Sequence, residues 1–214
     1  MSGFVNPSRT YDSTRRLHQA RQTRLAVLDA ARRHFLDDGF SKTTMAAVAT
    51  DAGVSVETVY KAFGNKAGLV KAVVDVSIVG DDEPVPMLQR AFVQRNAAEP
   101  DPRKKLLGYG IHVAEVGHRS GPIQLVVRDA AAADDAAAEL WRRLETERLT
   151  GMTVFARHLR DGGHLRKGVT LEEARDVLWV HNSVELWNLL VNRRKWTNKR
   201  FGRWVGQQLI ASLL

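Results

Sequence analysis

Within the segment SVETVYKAF (residues 55–63), Glu57, Thr58, Tyr60 and Lys61 put an acid, a hydroxyl, a phenol and an amine on one side of a helix. Such a set can donate to and accept from base edges and can contact phosphate oxygens. Val54, Val59 and Phe63 are apolar and suited to packing against a neighbouring helix. The same polar face also fits an ordinary solvated three-helix bundle, so the spacing leaves both readings open. Further on, Asn65 is placed to cap a helix that runs to about Val79, with Leu69, Val70, Val73 and Val74 on one side. Lys66 then falls in its first turn, where a cation opposes the helix dipole. A phosphate held jointly by the ammonium and the free backbone N–H groups would account for it. A freely solvated lysine is the alternative.

The elements that must position these groups are legible just upstream. Met45, Val48, Ala49 and Ala52 recur at i, i+3, i+4 and i+7, giving a short helix one apolar stripe. Gly53 ends it with the permissive backbone that a tight turn needs. Thr44 and Ser55 are placed to cap the first and second helices through their hydroxyls. Small Ala49 and Ala52 let the two helices cross closely. The layout is that of a helix-turn-helix.

Residues 24 to 70 resemble, in order and without gaps, the N-terminal domain of the TetR family of bacterial transcriptional regulators. The likeness runs through Leu28-Asp29-Ala30-Ala31, Phe35, Gly39-Phe40, Thr43-Thr44-Met45 and Ala52-Gly53-Val54-Ser55 to Thr58-Val59-Tyr60, Phe63, Lys66 and Leu69. It implies that Thr44, Tyr60 and Lys66 touch phosphates, that Ser55, Val56, Glu57 and Thr58 approach bases, and that Lys61 does either. The chain departs from the family pattern at His34, where an aliphatic residue is usual, and at Ala62, where histidine is frequent. Glu57 either accepts from a cytosine amino group or simply favours the helix N-terminus.

Composition fits a soluble regulator. The 214 residues are 44% apolar, enough for a sizeable core, and the net charge of +8 favours a polyanionic partner. No apolar run spans a bilayer, and the first residues lack the apolar segment of a secretory signal, so no membrane association is expected. The absence of cysteine excludes disulfide and thiolate chemistry and fits the cytoplasm. Residues 1 to 24 carry Arg9, Arg15, Arg16, Arg21 and Arg24 against Asp12 alone, and read as a flexible basic arm. The cluster Arg193, Arg194, Lys195, Lys199, Arg200 and Arg203 reads as a solvated connection.

The expected fold is all-α: an N-terminal three-helix DNA-binding domain followed by a larger helical ligand-binding and dimerisation domain. The arm occupies 1–20, the helix-turn-helix domain 21–66, a connecting helix 67–80 and the second domain 81–214. Acids and prolines at 81–86 mark the boundary. Beyond it, helices are expected at about 87–98, 103–118, 122–132, 135–161, 171–192 and 198–213, with Gly121-Pro122 as one of the breaks. Apolar residues cover most of the circumference from Val177 to Val191. That points to a four-helix bundle with a second copy, using Val184, Trp187, Leu190, Val205 and Leu209 at the dimer interface.

The family resemblance further implies a cavity for a small-molecule effector among the middle helices. Tyr109, His112, Val116, Arg128, Phe155, Trp179 and Asn182 are its candidate lining, chosen for aromatic or polar groups on otherwise apolar helix faces. Glu115-x-x-His118 is half of a di-iron carboxylate pattern, and without a second copy it implies no metal. No cofactor is expected. Enzyme motifs such as a nucleophile elbow or a phosphate loop do not occur. The chain therefore reads as a homodimeric repressor that binds a palindromic operator in double-stranded DNA and is released by a small molecule. A helical interaction module, or a helical enzyme without DNA binding, is the alternative.

Overall fold

The computed structural model describes the backbone from Pro7 to Leu214 and the side chains of Arg15, Arg16 and residues 18–214. Among the described residues the chain is helical, with no strand. The order is α1 (Pro7–Lys42), α2 (Met45–Asp51), α3 (Val56–Phe63), α4 (Lys66–Val79), a single 3-10 turn (Met87–Gln89), α5 (Ala91–Ala98), α6 (Pro102–Ala130), α7 (Asp135–Asp161), α8 (Leu171–His181), α9 (Val184–Trp187) running into a π-helical turn (Asn188–Arg193), and α10 (Asn198–Leu213). Two compact units divide the chain, Met1–Val73 and Val74–Leu214, and the division falls inside α4.

The first unit is built on α1, which bears Val27, Leu28, Ala31 and Phe35 on its buried stripe. Residues 1–6 of the expected arm lie outside the described residues, as do the side chains of Arg9 and Asp12. From Pro7 onward the stretch expected as an arm is the start of α1. After Pro7, which suits a helix N-terminus, no proline or glycine interrupts the chain until Gly39, and Arg, Gln, Leu and Ala are good helix formers. The repulsion among exposed arginines is too weak to reverse that preference.

In the second unit α6 is the element on which the others pack. Its Gly110 faces Gly202 and Gly206 of α10 so closely that a Cβ on Gly110 would lie 2.4 Å from the Gly202 carbonyl oxygen and 2.5 Å from the Gly206 nitrogen. Gly117 and Gly121 receive the indole of Trp187, with gaps for a Cβ of 2.5 and 2.7 Å. Gly121-Pro122 therefore does not break the helix, contrary to expectation. Pro122 forfeits one backbone bond, but burial of Gly121, Ile123 and Val127 holds the segment in line. The reverse occurs at the helix expected over 171–192. It is broken at Asn182-Ser183, where Ser183 adopts an extended backbone and its hydroxyl accepts from Leu186 N–H.

The residues expected at a dimer interface also take part in the packing of the single chain. Val184, Trp187, Val205 and Leu209 are at most 6% exposed within the single chain, and Leu190 packs against the same core. Apolar coverage shows that a helix is enclosed, and here the glycines of α6 let the chain's own backbone do the enclosing. Val180 and Leu189, each 49% exposed, are the large apolar side chains that α8 and the π turn leave outside.

Helix α5 is held by two side chains of α6. Lys105, buried, donates to the carbonyls of Asn96 and Ala97 and approaches His158 Nε2 of α7 at 2.8 Å. His112 stacks face to face on Phe92, with ring centroids 3.7 Å apart. Burial, and secondarily the Arg119 charge, brings the His112 pKa down from 6.5 to about 4. Its imidazole is neutral in the fold over a range where the unfolded chain would bind a proton. Stability should therefore be full above pH 6.5, decline as the pH falls towards 4, and lose nothing further from this group below that. Urea unfolding across this range should show the decline, and His112→Phe should flatten it. In the α6–α10 seam, Gly110→Ala should destabilise by about 3 kcal/mol through overpacking. Gly108→Ala, whose Cβ would meet only Asn96 Nδ2 at 3.8 Å, should be neutral or stabilising in the same measurement.

Candidate nucleic-acid interface and effector core

Thr44 caps α2 by accepting from Ala47 N–H at 3.1 Å, which leaves its hydroxyl proton available to a second partner. Gly53 takes a left-handed φ of 67° in the turn. Ser55 then caps α3, accepting from Thr58 N–H at 3.2 Å and lying 3.1 Å from the Thr58 hydroxyl. Val59 is fully buried, which fixes the rotation of α3 and turns Glu57, Thr58, Tyr60 and Lys61 outward. Val56, half-buried, is the least outward of the expected base-facing residues. Glu57 is held below the usual carboxylate range by its own backbone N–H and then by the Ser55 hydroxyl.

The start of α4 is equally determined. Gly64 has φ 76°, and Asn65 Oδ1 accepts from Gly68 N–H at 2.8 Å. Gly68 cannot be another residue without rearrangement, since a Cβ there would sit 2.1 Å from the Phe63 carbonyl oxygen. Lys66 donates to the Ser41 carbonyl at 3.3 Å and lies 4.5 Å above the Phe40 ring. These contacts offset the unfavourable dipole position, and a lysine has three N–H donors, so the ammonium keeps capacity for an anion. His34, the departure from the family pattern, bonds Asp38 at 3.2 Å and lies 3.7 Å from Asp51, which also receives Arg33 at 2.9 Å. The sequence signal for this link was Asp51 itself. An acid in the last turn of a helix opposes the dipole and calls for cations.

Of the expected effector residues, four are brought into one neighbourhood. Tyr109 donates its hydroxyl to Met152 Sδ at 3.0 Å, and its ring meets Phe155 at 4.8 Å. Asn182 Nδ2 reaches the same sulfur at 3.6 Å. The Trp179 ring lies 4.3 Å beneath the Arg148 guanidinium, and Arg148 also donates to the Trp179 carbonyl. Met152 and Arg148 were missed, because on a single helix a methionine reads as packing and an arginine as surface. His112 belongs instead to the stack on Phe92, Val116 is half-buried on α6, and Arg128 sits in the last turn of α6 with its guanidinium on Asp129. Glu115 and His118 are exposed, and among the described residues no group of three His, Asp or Glu side chains is close enough to hold a metal ion. The basic cluster is more than a solvated connection. Arg200 stacks on Trp196 at 3.8 Å, and both line a cleft of about 350 Å³ with Lys199, Arg203 and Trp204. No described helix is long and apolar enough to cross a membrane.

Comparison with known proteins bears on the first of these sites. Residues 27–73 match the family described as bacterial regulatory proteins, tetR family. The transcriptional regulator TtgR of Pseudomonas putida is 42% identical over 57 residues, which cover 27% of this chain and 27% of that protein. ArpR of Pseudomonas putida, a probable regulator of the same helix-turn-helix type, matches to the same extent. The chain thus matches only 27% of the length of these curated relatives. Among solved structures, NalD, the secondary repressor of the MexAB-OprM multidrug efflux pump in Pseudomonas aeruginosa, superposes with a TM-score of 0.72 at 19% identity, over 92% of this chain and 98% of that one. A SmeT–triclosan complex superposes with a TM-score of 0.66 at 23% identity, over 90% and 91%. At such identities the likeness is one of fold. The family likeness is thus carried by the N-terminal helix-turn-helix, whose residues 27–73 match the tetR family of bacterial regulatory proteins.

Proposed function

We propose that this protein is a homodimeric transcriptional repressor of the cytoplasm, a binding protein and not an enzyme, which holds a palindromic operator and is released by a small-molecule effector. The observation that carries the reading is α3. Buried Val59 and the Ser55 cap present Glu57, Thr58, Tyr60 and Lys61 together, within the segment that matches the family. Tyr60, Lys66 and the Thr44 hydroxyl contact phosphates and set the register. Ser55, Val56 and Thr58 at the start of α3 meet base edges, with Lys61 in either role and Glu57 tuning which bases are accepted. A second copy covers the apolar side chains left outside the core, Val180 and Leu189, and a twofold axis sets the two recognition helices about 34 Å apart, one DNA turn.

The coupling from effector to DNA runs through α4. Arg119 of α6 donates to the carbonyls of Ser77 and Ile78 in the last turn of α4, at 3.2 and 2.9 Å, where a cation is favoured by the dipole. The N-terminal end of the same helix carries Lys66. Rearrangement of α6 around an effector would be felt by α4 through this clamp. NalD is named a repressor and SmeT is recorded with triclosan, which supports reading the effector core as a small-molecule site.

Electrophoretic mobility shift with the chain's own upstream DNA tests the reading. Binding should be tight, sequence-selective and salt-sensitive. Lys66→Ala and Tyr60→Phe should weaken binding to all sequences alike and reduce the salt slope by about one for the lysine, whereas Glu57→Gln or Thr58→Ala should reorder preference among sequences. Unchanged affinity and slope in Lys66→Ala would remove the phosphate contact. A chain that ignored every duplex at low salt would be a helical interaction module instead. Arg119→Ala should retain operator binding and lose release by effector; release at the wild-type effector concentration would show that the clamp carries no coupling.

A further inference from the structure

The core between α6, α7 and α8 holds an imbalance of hydrogen-bonding groups. Tyr109 on α6 and Asn182 on α8 both aim donors at one thioether, Met152 Sδ, at 3.0 and 3.6 Å. A thioether is a weak acceptor, far poorer than an oxygen. Trp179, one turn before Asn182 on α8, has its indole Nε1–H buried with no hydrogen-bond partner. Arg148 and Met152 are four residues apart on α7, and Arg148 lies over the Trp179 ring, so Trp179 packs within a turn of the residue that the other two donors reach. Burial raises the Tyr109 pKa, and its hydroxyl therefore stays a donor at any physiological pH. Buried donors without good acceptors are costly and uncommon in native cores.

The charge of the neighbourhood is already balanced. Arg148 Nη2 holds both carboxylate oxygens of Glu145 at 3.0 and 3.1 Å, and its other nitrogen donates to the Trp179 carbonyl. A fully anionic ligand would bring a charge with no free cation to meet it. A neutral oxygen satisfies the donors and leaves the ion pair intact. The surrounding surfaces are the flat rings of Tyr109, Phe155 and Trp179. Met152 is unbranched and can swing aside through rotation about several bonds. Asn182 caps the end of α8, where the chain breaks before Ser183, so its amide can shift without unwinding a helix.

We infer that the effector is a neutral aromatic molecule bearing a carbonyl-type oxygen, which displaces the Met152 thioether and accepts from Tyr109 Oη–H, Asn182 Nδ2–H and Trp179 Nε1–H. This rests on the effector-regulated reading above and names the chemistry that reading leaves open. Met152 acts as a resident placeholder for the oxygen.

The test uses the full chain and three matched probes in isothermal titration: benzophenone, diphenylmethane, which lacks the oxygen, and 4-benzoylbenzoate, which adds a charge. Benzophenone should bind roughly tenfold or more tightly than diphenylmethane, the effect of one or more well-made hydrogen bonds. The ratio should fall towards one in the double variant Tyr109→Phe, Trp179→Phe, which keeps an aromatic ring at both positions. Met152→Leu should lower the melting temperature, since it strands the donors, yet strengthen benzophenone binding. The indole N–H signal that Trp179→Phe removes from the NMR spectrum should move on adding benzophenone. Equal binding of diphenylmethane would overturn the acceptor assignment while leaving an effector core in place. Tightest binding of 4-benzoylbenzoate would overturn the neutral class, and failure of all three to bind would overturn the inference as a whole. Operator binding measured without any probe judges the repressor reading separately.

Discussion

Backbone against backbone, with no side chain between, is the contact on which the second unit depends. Gly110 of α6 meets Gly202 and Gly206 of α10 at distances that leave no room for a methyl group. Interiors are close-packed and yield little, so a seam of this kind fixes the two helices as one body. The chemistry of the unit hangs from the same helix. Tyr109 adjoins the seam, His112 holds α5, Gly117 and Gly121 seat Trp187, and Arg119 grips the end of α4. Rearrangement within the core has to be absorbed by α7 and α8, whose contacts are made of side chains, and by the break at Asn182-Ser183.

The first unit rests on a different principle, the management of helix ends. Three helices in succession begin at side-chain caps, Thr44, Ser55 and Asn65, which leaves further backbone N–H groups unpaired at each start. Such ends attract anions, and the chain answers that locally in two ways. Glu57 seats its carboxylate on its own helix start, while Lys66 is steadied by the Ser41 carbonyl and the Phe40 face. Only the start of α3 thus gains an anion from within the unit, and Lys66 keeps its ammonium near the start of α4.

How much of this the sequence disclosed depended on whether the determining signal was local. Caps, glycine turns and a short apolar period lie within a few residues of each other, and α2, α3 and the start of α4 are where those signals put them. The course of α6 through Pro122 was not legible, because the burial that holds it in line comes from residues distant in sequence. Val184, Trp187, Val205 and Leu209 are legible as enclosed, and the single chain already buries them, since periodicity reports burial and not what does the covering. Tyr109, Phe155, Trp179 and Asn182 were found as odd groups on apolar faces, whereas Met152, to which two of them point, has nothing unusual about it until the helices are packed.

The length of α1 has its own physical outcome. Arg15, Arg16 and Arg21 belong to a helix that has already formed, and its course from Pro7 to the kink at Gly39 extends roughly 48 Å at about 1.5 Å per residue. A loose tether would surrender backbone entropy on meeting any partner and would reach many places weakly. A stiff rod surrenders little. The basic beginning of this protein is therefore a rod of set length and not a tether.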